Sequence, residues 1–600
     1  MKLFLSGNEA IAFGLIEAGV RFISAYPGTP SSEVLPTAVK IKQQFGIGGY
    51  FEWSVNEKAA FEEATAANFS GLSVAVVMKQ VGLNVAMDPY MNTAIVGSIG
   101  GFVVVVADDP GPHSSQTEQD SRFLAQFAKI PVLEPSTPKE AYEFAKRAVD
   151  LSKKYSLPVM LRTTTRVSHS REDIAVGRIE DVKLKPEFKK NTDRFAATPH
   201  FRFLLHKELN NKIRAIKGKP GFRIFYNGNR LLITSGISFA YLCDIVEEFG
   251  LHDKVRILKI DMPFPIDELK LQEYVDRYND VLVIEEGYPV IENQIIDRRR
   301  IKGRWNGFVP SEGELTIDVI KGLLRDFGVL EFKENTVAVK PPFKRPSLCP
   351  GCGHRSAFFA IREVFKNQAI YTGDIGCYTL GLNLKAVDTV HCMGASVSFA
   401  FGFDKAFSIA GDFKYIVATI GDSTFFHSGI TPLIDAMHNK SRFILVILDN
   451  ATTAMTGNQP TPANPFNAAF DGANPISIES TVRSLGVEFL RVRDAYDIEG
   501  LKTDLKEAKQ YIETHSKPAV LIFRHPCVYT KEGLSLNPAF EDVYVDEAKC
   551  TGCKICINRF ECPSLLFDED TKKVTIDLST CIKCGQCIYS CPYNAIKVKK

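Results

Sequence analysis

Short apolar runs recur through the first part of the chain, each stopping at glycine, proline or small polar residues, with helix-compatible stretches between them. Up to about Arg162 this alternation predicts a doubly wound parallel sheet. From about Thr163 to Gly221 polar and basic residues take over, as in HKELNNKIRAIKGKPG, which predicts solvated helices and connecting loops. Apolar runs return at Arg230 (LLITSG), pass through VRILKIDMPFP and end after VLVIEEGYPVIENQI, predicting a smaller α/β region. A Pro-containing stretch to Pro346 reads as a linker. Beyond it the clearest unit spans Gly421 to Asn450. An apolar run (Tyr415 to Ile420), a helical segment (about Ser428 to Asn439) and a second apolar run (Phe443 to Leu448) make a βαβ unit. Such units are parallel and right-handed, so Asp422 and Asn450 both leave the carboxyl edge of one sheet, where open α/β sheets bind ligands. The resulting division is 1–165, 166–225, 226–330, 331–346, 347–535 and 540–600.

Composition narrows the class. Six hundred residues require several domains, and 45% hydrophobic with 24% charged residues is ordinary for a globular protein. A net charge of +2 provides no field for gathering polyanions, so nucleic acid is not expected as a partner. The apolar run at the N-terminus is too short for a signal peptide and none elsewhere reaches a membrane span. Eight of the fourteen cysteines fall between Cys550 and Cys591, which in a cytoplasmic chain predicts metal binding rather than disulfides.

Several strand-end loops carry candidate chemistry. In Tyr26-Pro27-Gly28-Thr29-Pro30-Ser31-Ser32 two prolines and a glycine make a rigid turn from which Thr29, Ser31 and Ser32 can donate; a plain turn with a serine cap explains it equally well. Glu57 opens an Ala-rich helix, and its spacing from Ser54 also fits a simple capping box. KQVGLN follows the run Ser73 to Met78, and DDPGPHSSQ follows Phe102 to Ala107, two more polar loops on the same edge. The acids Glu285, Glu286 and Glu292 fit packing and interdomain contacts, and Cys243 fits a core position. Asp422 and Asn450 are hard oxygen ligands suited to Mg²⁺ bound to a diphosphate, although ordinary loop-capping residues have the same look.

The tail reads Cys550-x2-Cys553-x2-Cys556-x5-Cys562-Pro and then Cys581-x2-Cys584-x2-Cys587-x3-Cys591-Pro. This is the bacterial ferredoxin pattern, in which the fourth cysteine of each run serves the other cluster. Cys550, Cys553, Cys556 and Cys591 then hold one 4Fe–4S cluster, and Cys581, Cys584, Cys587 and Cys562 the other. The x5 gap departs from the usual x3 and bears on the cluster that Cys562 completes. Upstream, Cys349 and Cys352 form a lone CxxC, ambiguous between zinc, a redox dithiol and iron–sulfur, while Cys377 and Cys527 sit in loop-like settings.

GDS, about two dozen residues and then Asn resembles the metal and diphosphate motif of thiamine diphosphate enzymes, with Ser423 in place of a second glycine after Gly421. Together with YPGTPSS, VNEK, KQVGLN and DDPGPHSSQTEQD it resembles the 2-oxoacid:ferredoxin oxidoreductases, over nearly the whole chain and in the same domain order. The resemblance implies two thiamine-binding doubly wound α/β domains, a smaller α/β middle domain and a two-cluster ferredoxin domain. It implies thiamine diphosphate and Mg²⁺ as cofactors, with Asp422, Asn450 and the Thr452 carbonyl on the metal. It places the Gly394–Ser396 helix start near the diphosphate, Glu57 at the aminopyrimidine and Thr29 at the substrate carboxylate. A glycine at position 28 leaves room for a large substrate side chain. Cys349, Cys352, Cys377 and Cys527 match the family positions for a third 4Fe–4S cluster, and Cys392 stays outside that set.

The implied reaction is oxidative decarboxylation of arylpyruvates of the indolepyruvate and phenylpyruvate type to aryl-acetyl-CoA, with coenzyme A as acyl acceptor and ferredoxin as electron acceptor. The family's gamma-type domain has no counterpart in the sequence, which implies a smaller second (beta) subunit. Another 2-oxoacid substrate, or a non-catalytic electron-transfer subunit, are the competing readings.

Overall fold

The computed structural model describes residues 1–182, 184–219, 221–331, 345–536 and 540–599, so the expected linker lies mostly outside the described residues. The chain forms two compact units, Met1–Val337 and Ala338–Lys600.

In the first unit six parallel strands lie in the order Tyr50–Trp53, Phe22–Ala25, Val74–Lys79, Phe102–Asp108, Val159–Thr164 and Val132–Leu133. The central strands are continuous runs of valine and other apolar residues because helices cover both faces. The segments singled out above therefore leave one edge, following Ala25, Trp53, Lys79 and Asp108, but KQVGLN is not a loop: helix Gln80–Val85 begins directly after the strand. The polar stretch after Thr163 includes the helix Pro199–Ile216, which turns Leu205, Leu209 and Ile216 inward, leaves Lys207 and Arg214 exposed and half-buries Arg202 and Lys212.

The middle sheet follows in the order Ile301–Lys302, Val281–Ile284, Arg230–Thr234, Val255–Lys259 and Arg223–Phe225, the last antiparallel. A buried ionic lattice fastens it to the first sheet. Arg122 holds Asp120 at 2.6 Å and Glu285 at 3.1 Å and donates to the Glu286 carbonyl, while Arg162 holds Asp108 at 2.9 Å and also pairs with Glu134. Glu285 accepts the amides of Val290, Ile291 and Glu292, and Glu292 accepts that of Arg304, so these acids are occupied inside the fold.

In the second unit five parallel strands lie in the order Ala369–Thr372, Tyr415–Gly421, Ile444–Asp449, Ala519–Arg524 and Leu490–Asp494. Apolar cores cover both faces. The βαβ unit is present, but helical structure begins at Asp422, well before Ser428, and passes through a π turn at Phe425–Gly429 before the helix Ile430–His438. No breaker stands between Gly421 and Gly429, and π turns commonly mark functional sites. The tail closes with two antiparallel pairs, Asp542–Val545 with Ile596–Lys599 and Leu565–Asp568 with Lys573–Ile576. Among the described residues no helix is long and apolar enough to cross a membrane.

Candidate active site and iron–sulfur centres

In the first unit the edge loops converge around Glu57. The helix Glu57–Phe69 is capped by Asn56, whose side chain accepts from the Ala59 amide at 2.8 Å, while the Ser54 hydroxyl reaches Glu63. The capping box with Ser54 is therefore absent. Glu57 is 5% exposed, and its carboxylate lies where a Cβ on Gly82 would come within 2.5 Å. Glycine in KQVGLN thus makes room for Glu57. In the YPGTPSS turn the Ser31 hydroxyl donates to the Gly28 carbonyl and Ser32 Oγ accepts the Gly28 amide. Those two hydroxyls shape the turn, and Thr29 is tied by its carbonyl to Ser114 Oγ at 3.2 Å.

Lys79, the last residue of its strand, completes this group. A Cβ on Gly28 would meet its Cγ and Cδ at 2.9 Å, and its ammonium donates to the Ser114 carbonyl at 3.1 Å. The space freed by glycine at position 28 is thus filled by the Lys79 stem, not left open beside the loop. Burial pulls Lys79 down to about 8, opposed by the negative charges of Asp109 and Glu57.

In the second unit Gly421 passes beneath the Tyr378 ring, which a Cβ would strike at 2.3 Å. The Tyr378 hydroxyl bonds with Ile375 O and Thr424 Oγ1, both at 2.6 Å, locking the start of the helical turn. Asp422 is buried, with Oδ2 lacking any hydrogen-bond partner. Burial and then the neighbouring Asp449 push its carboxyl well above the carboxylate range. A divalent cation reverses that penalty, so the carboxylate fits a metal ligand. The facing loop is joined to it by Thr453 Oγ1 donating to Ser423 Oγ at 3.0 Å, which gives the serine a use that glycine could not serve. Asn450 Oδ1 accepts the Thr452 amide at 3.3 Å, and the Thr452 carbonyl accepts from Ala454, with a second lone pair remaining.

The helix start at Gly394–Ser396 is organised by Asp374. Its two carboxylate oxygens accept the amides of Gly394 at 2.9 Å and Ser396 at 3.0 Å, so both amides are engaged within the protein. Burial pushes Asp374 up to about 6 despite these bonds.

The upstream thiols converge. Cys352 senses Cys349 and Cys377; Cys377 senses Cys349 and Cys527; Cys527 senses Cys349 and also Asp422. Burial raises Cys352 to about 12 and Cys377 to about 11. In the tail the pattern crosses over. Cys562 lines one cavity with Cys581, Cys584 and Cys587, while Cys591 lines another with Cys550, Cys553 and Cys556. A π turn at Cys556–Phe560 and left-handed Glu561 absorb the longer x5 gap and deliver Cys562 to its group. Among the described residues no three His, Cys, Asp or Glu side chains stand close enough to enclose a single metal ion. A four-iron cube holds its thiolates further apart.

Sequence comparison decides the family. Residues 13–216 match "Pyruvate flavodoxin/ferredoxin oxidoreductase, thiamine diP-bdg", residues 374–523 match "Thiamine pyrophosphate enzyme, C-terminal TPP binding domain" and residues 542–592 match "4Fe-4S dicluster domain". The indolepyruvate oxidoreductase subunit IorA of Thermococcus kodakarensis is 40% identical over 100% of this chain and 97% of its own length. The chain belongs to the IorA family. The IorA of Archaeoglobus fulgidus is 38% identical over 100% of this chain and 98% of its own. By contrast the 2-oxoglutarate synthase subunit KorA of Methanothermobacter thermautotrophicus is 28% identical over 29% of this chain.

As an IorA family member the chain is one of the thiamine-dependent 2-oxoacid:ferredoxin oxidoreductases, with thiamine-binding α/β domains and a two-cluster tail. Sequence reading missed Lys79, Asp374 and Tyr378. Lys79 opens the KQVGLN segment without a role in that reading, and the place of each of the three depends on contacts with residues distant in sequence. Only the small residues opposite them, Gly28 and Gly421, left a trace in the sequence.

Proposed function

We propose that this chain is the large subunit of an arylpyruvate:ferredoxin oxidoreductase, decarboxylating indolepyruvate- or phenylpyruvate-type acids to aryl-acetyl-CoA. The observation that carries this reading is the Cys527 amide donating to the Asn450 carbonyl at 3.0 Å, which ties a candidate cluster cysteine to the candidate metal loop. The aryl assignment rests on full-length similarity to proteins named indolepyruvate oxidoreductase subunits.

Thiamine diphosphate, when bound, supplies the nucleophilic carbon that adds to the keto group and holds the electrons left when CO₂ departs. Asp422, Asn450 and the Thr452 carbonyl would hold the Mg²⁺ that carries its diphosphate. The buried oxygen without a partner on Asp422 supports that role. Glu57 would exchange a proton with the aminopyrimidine. Its burial against Gly82 holds the carboxylate in one position, and the N-cap of its helix is Asn56. Thr29 and the Lys79 ammonium would receive the substrate carboxylate, with Lys79 held by the Ser114 carbonyl. Cys349, Cys352, Cys377 and Cys527 would hold a third 4Fe–4S cluster, for which four thiolates are the suited ligand set. A smaller beta subunit carrying the gamma-type domain, coenzyme A, external ferredoxin and a cytoplasmic setting complete the reading.

Testing this requires the complex of both subunits under anaerobic conditions and a panel of 2-oxoacids read by ferredoxin reduction. Indolepyruvate and phenylpyruvate should give a kcat/KM at least tenfold above those of pyruvate and 2-oxoglutarate. Preference for a small aliphatic acid would remove the aryl assignment, and full turnover by the isolated chain would remove the partner.

A further inference from the structure

Glu314 lies between the strand Ile301–Lys302 of the middle sheet and the helix Ile317–Asp326, and its carboxylate reaches back to the first sheet. The side chain is only 9% exposed. Its Oε2 lies 3.1 Å from His113 Nε2 and accepts from Arg166 Nη2 at 2.8 Å, while Oε1 accepts from Arg166 Nε. Two guanidinium donors on one carboxylate make a planar fork that fixes direction as well as distance. The Arg166 guanidinium holds the Glu314 carboxyl below its ordinary range, against the effect of burial.

His113 belongs to the polar segment DDPGPHSSQTEQD, and the middle sheet's loops grip that segment at further points. The Gly313 amide donates to Glu118 Oε2 at 2.9 Å, and the Tyr288 amide to Asp120 Oδ2 at 2.7 Å. At Gly111, with φ +56, a Cβ would come within 2.9 Å of the Glu314 nitrogen, so the two backbones touch. The residue after His113 is Ser114, whose carbonyl accepts the Lys79 ammonium at 3.1 Å. The Ser114 amide donates to Asp109 Oδ2 at 2.8 Å, and Asp109 Oδ1 accepts from Thr165 Oγ1 at 2.6 Å. The single proton of the Ser114 hydroxyl is shared between the Thr29 carbonyl at 3.2 Å and Asp109 Oδ2 at 3.3 Å. Asp109 thus holds Ser114 from the first sheet, and Glu314 holds its neighbour from the middle one.

We propose that Glu314 is a positioning residue for the substrate: it fixes His113 and, through Ser114, sets where the Lys79 ammonium meets the 2-oxoacid carboxylate. This gives the middle sheet a part in substrate binding, beyond the buried lattice that joins it to the first. The inference rests on the reading of Lys79 as the partner of that carboxylate. Lys79 is half-buried on a flexible stem, so a displaced Ser114 carbonyl lets the ammonium turn away at little cost. The contact is made alike in the ground state and the transition state, so its loss raises KM and leaves kcat alone.

The test uses the complex of both subunits carrying the native chain, Glu314→Ala, Glu314→Gln, His113→Ala or Lys79→Met, each checked for thiamine and iron content. In Glu314→Ala the KM for the 2-oxoacid that the panel prefers should rise about tenfold, with kcat within about twofold of native. Amide hydrogen exchange between positions 111 and 119 should quicken about tenfold in the same variant. Glu314→Gln keeps an oxygen acceptor and should recover part of both changes. His113→Ala cuts the tie at an exposed residue with no core to disturb, and should move KM and exchange the same way. Glu314→Ala added to Lys79→Met should raise KM no further than Lys79→Met alone. An unchanged KM in Lys79→Met would remove the carboxylate reading and this inference with it. A raised KM there beside a native KM in Glu314→Ala and His113→Ala would overturn the inference alone, as would additive effects in the double variant or a KM rise with exchange unaltered.

Discussion

The buried carboxylate of Glu57 and the half-buried ammonium of Lys79 each make a distinct expectation. Glu57→Gln keeps the shape and removes the exchangeable proton. Thiamine and iron content should stay unchanged while substrate-driven cluster reduction falls about 10²-fold or more, the usual contribution of a positioned acid–base group. Unchanged reduction would return Glu57 to a packing role. For Lys79 the sign follows from its lowered pKa of about 8. The ammonium is present below that pH and lost above it, so KM for the 2-oxoacid should rise as the pH passes about 8 while thiamine affinity holds. Lys79→Met should have a raised KM at every pH and no such rise, and a KM for the native complex that is flat across this range would exclude Lys79 from the carboxylate. At this scale the sequence was uneven. Asp422 and Asn450 were legible because a βαβ unit fixes where strand ends go, whereas Lys79 and Asp374 acquire roles only through loops brought near by folding.

Among the elements, one buried side chain ties the second unit's tail to the cysteine loop before it. Arg355, buried in the helix Gly353–Phe365, donates to the carbonyls of Phe560, Glu561, Leu348 and Cys349. It ties the π turn that delivers Cys562 to the loop that carries Cys349 and Cys352. Arg355→Met leaves several carbonyls without a charged donor and should cost on the order of 3 kcal/mol or more. Cluster bleaching in urea should shift to lower denaturant, with the cluster at Cys562 lost before the one at Cys591; simultaneous loss at an unchanged midpoint would argue against the tie. The cysteine spacing was readable as a ferredoxin pattern, but the way an x5 gap is absorbed was not. It needs a π turn and left-handed Glu561, which residue spacing does not encode.

At the scale of the whole molecule, the first unit joins its two sheets through buried charges, and this makes its stability depend on pH. Burial raises Glu286, which has no ion pair in this lattice among the described residues, to about 7, from an ordinary value near 4.5. The native state then keeps a proton that the unfolded chain releases, so this contribution is full below the unfolded value and is lost as pH rises through about 7. The thermal midpoint of the first unit should be higher near pH 6 than near pH 8, and Glu286→Gln should shrink the difference. The alternation of apolar runs made both sheets legible, while the Arg122 and Arg162 lattice joining them was not, since its members are spread from Asp108 to Glu286.

The central claim is that electrons leave a thiamine site through iron held by Cys349, Cys352, Cys377 and Cys527. Counting iron and sulfide together with thiamine on the anaerobically purified chain tests it most directly, beside Cys377→Ser. The account predicts three 4Fe–4S clusters per thiamine in the native chain and two in the variant. Two clusters in both would confine iron to the tail and contradict it.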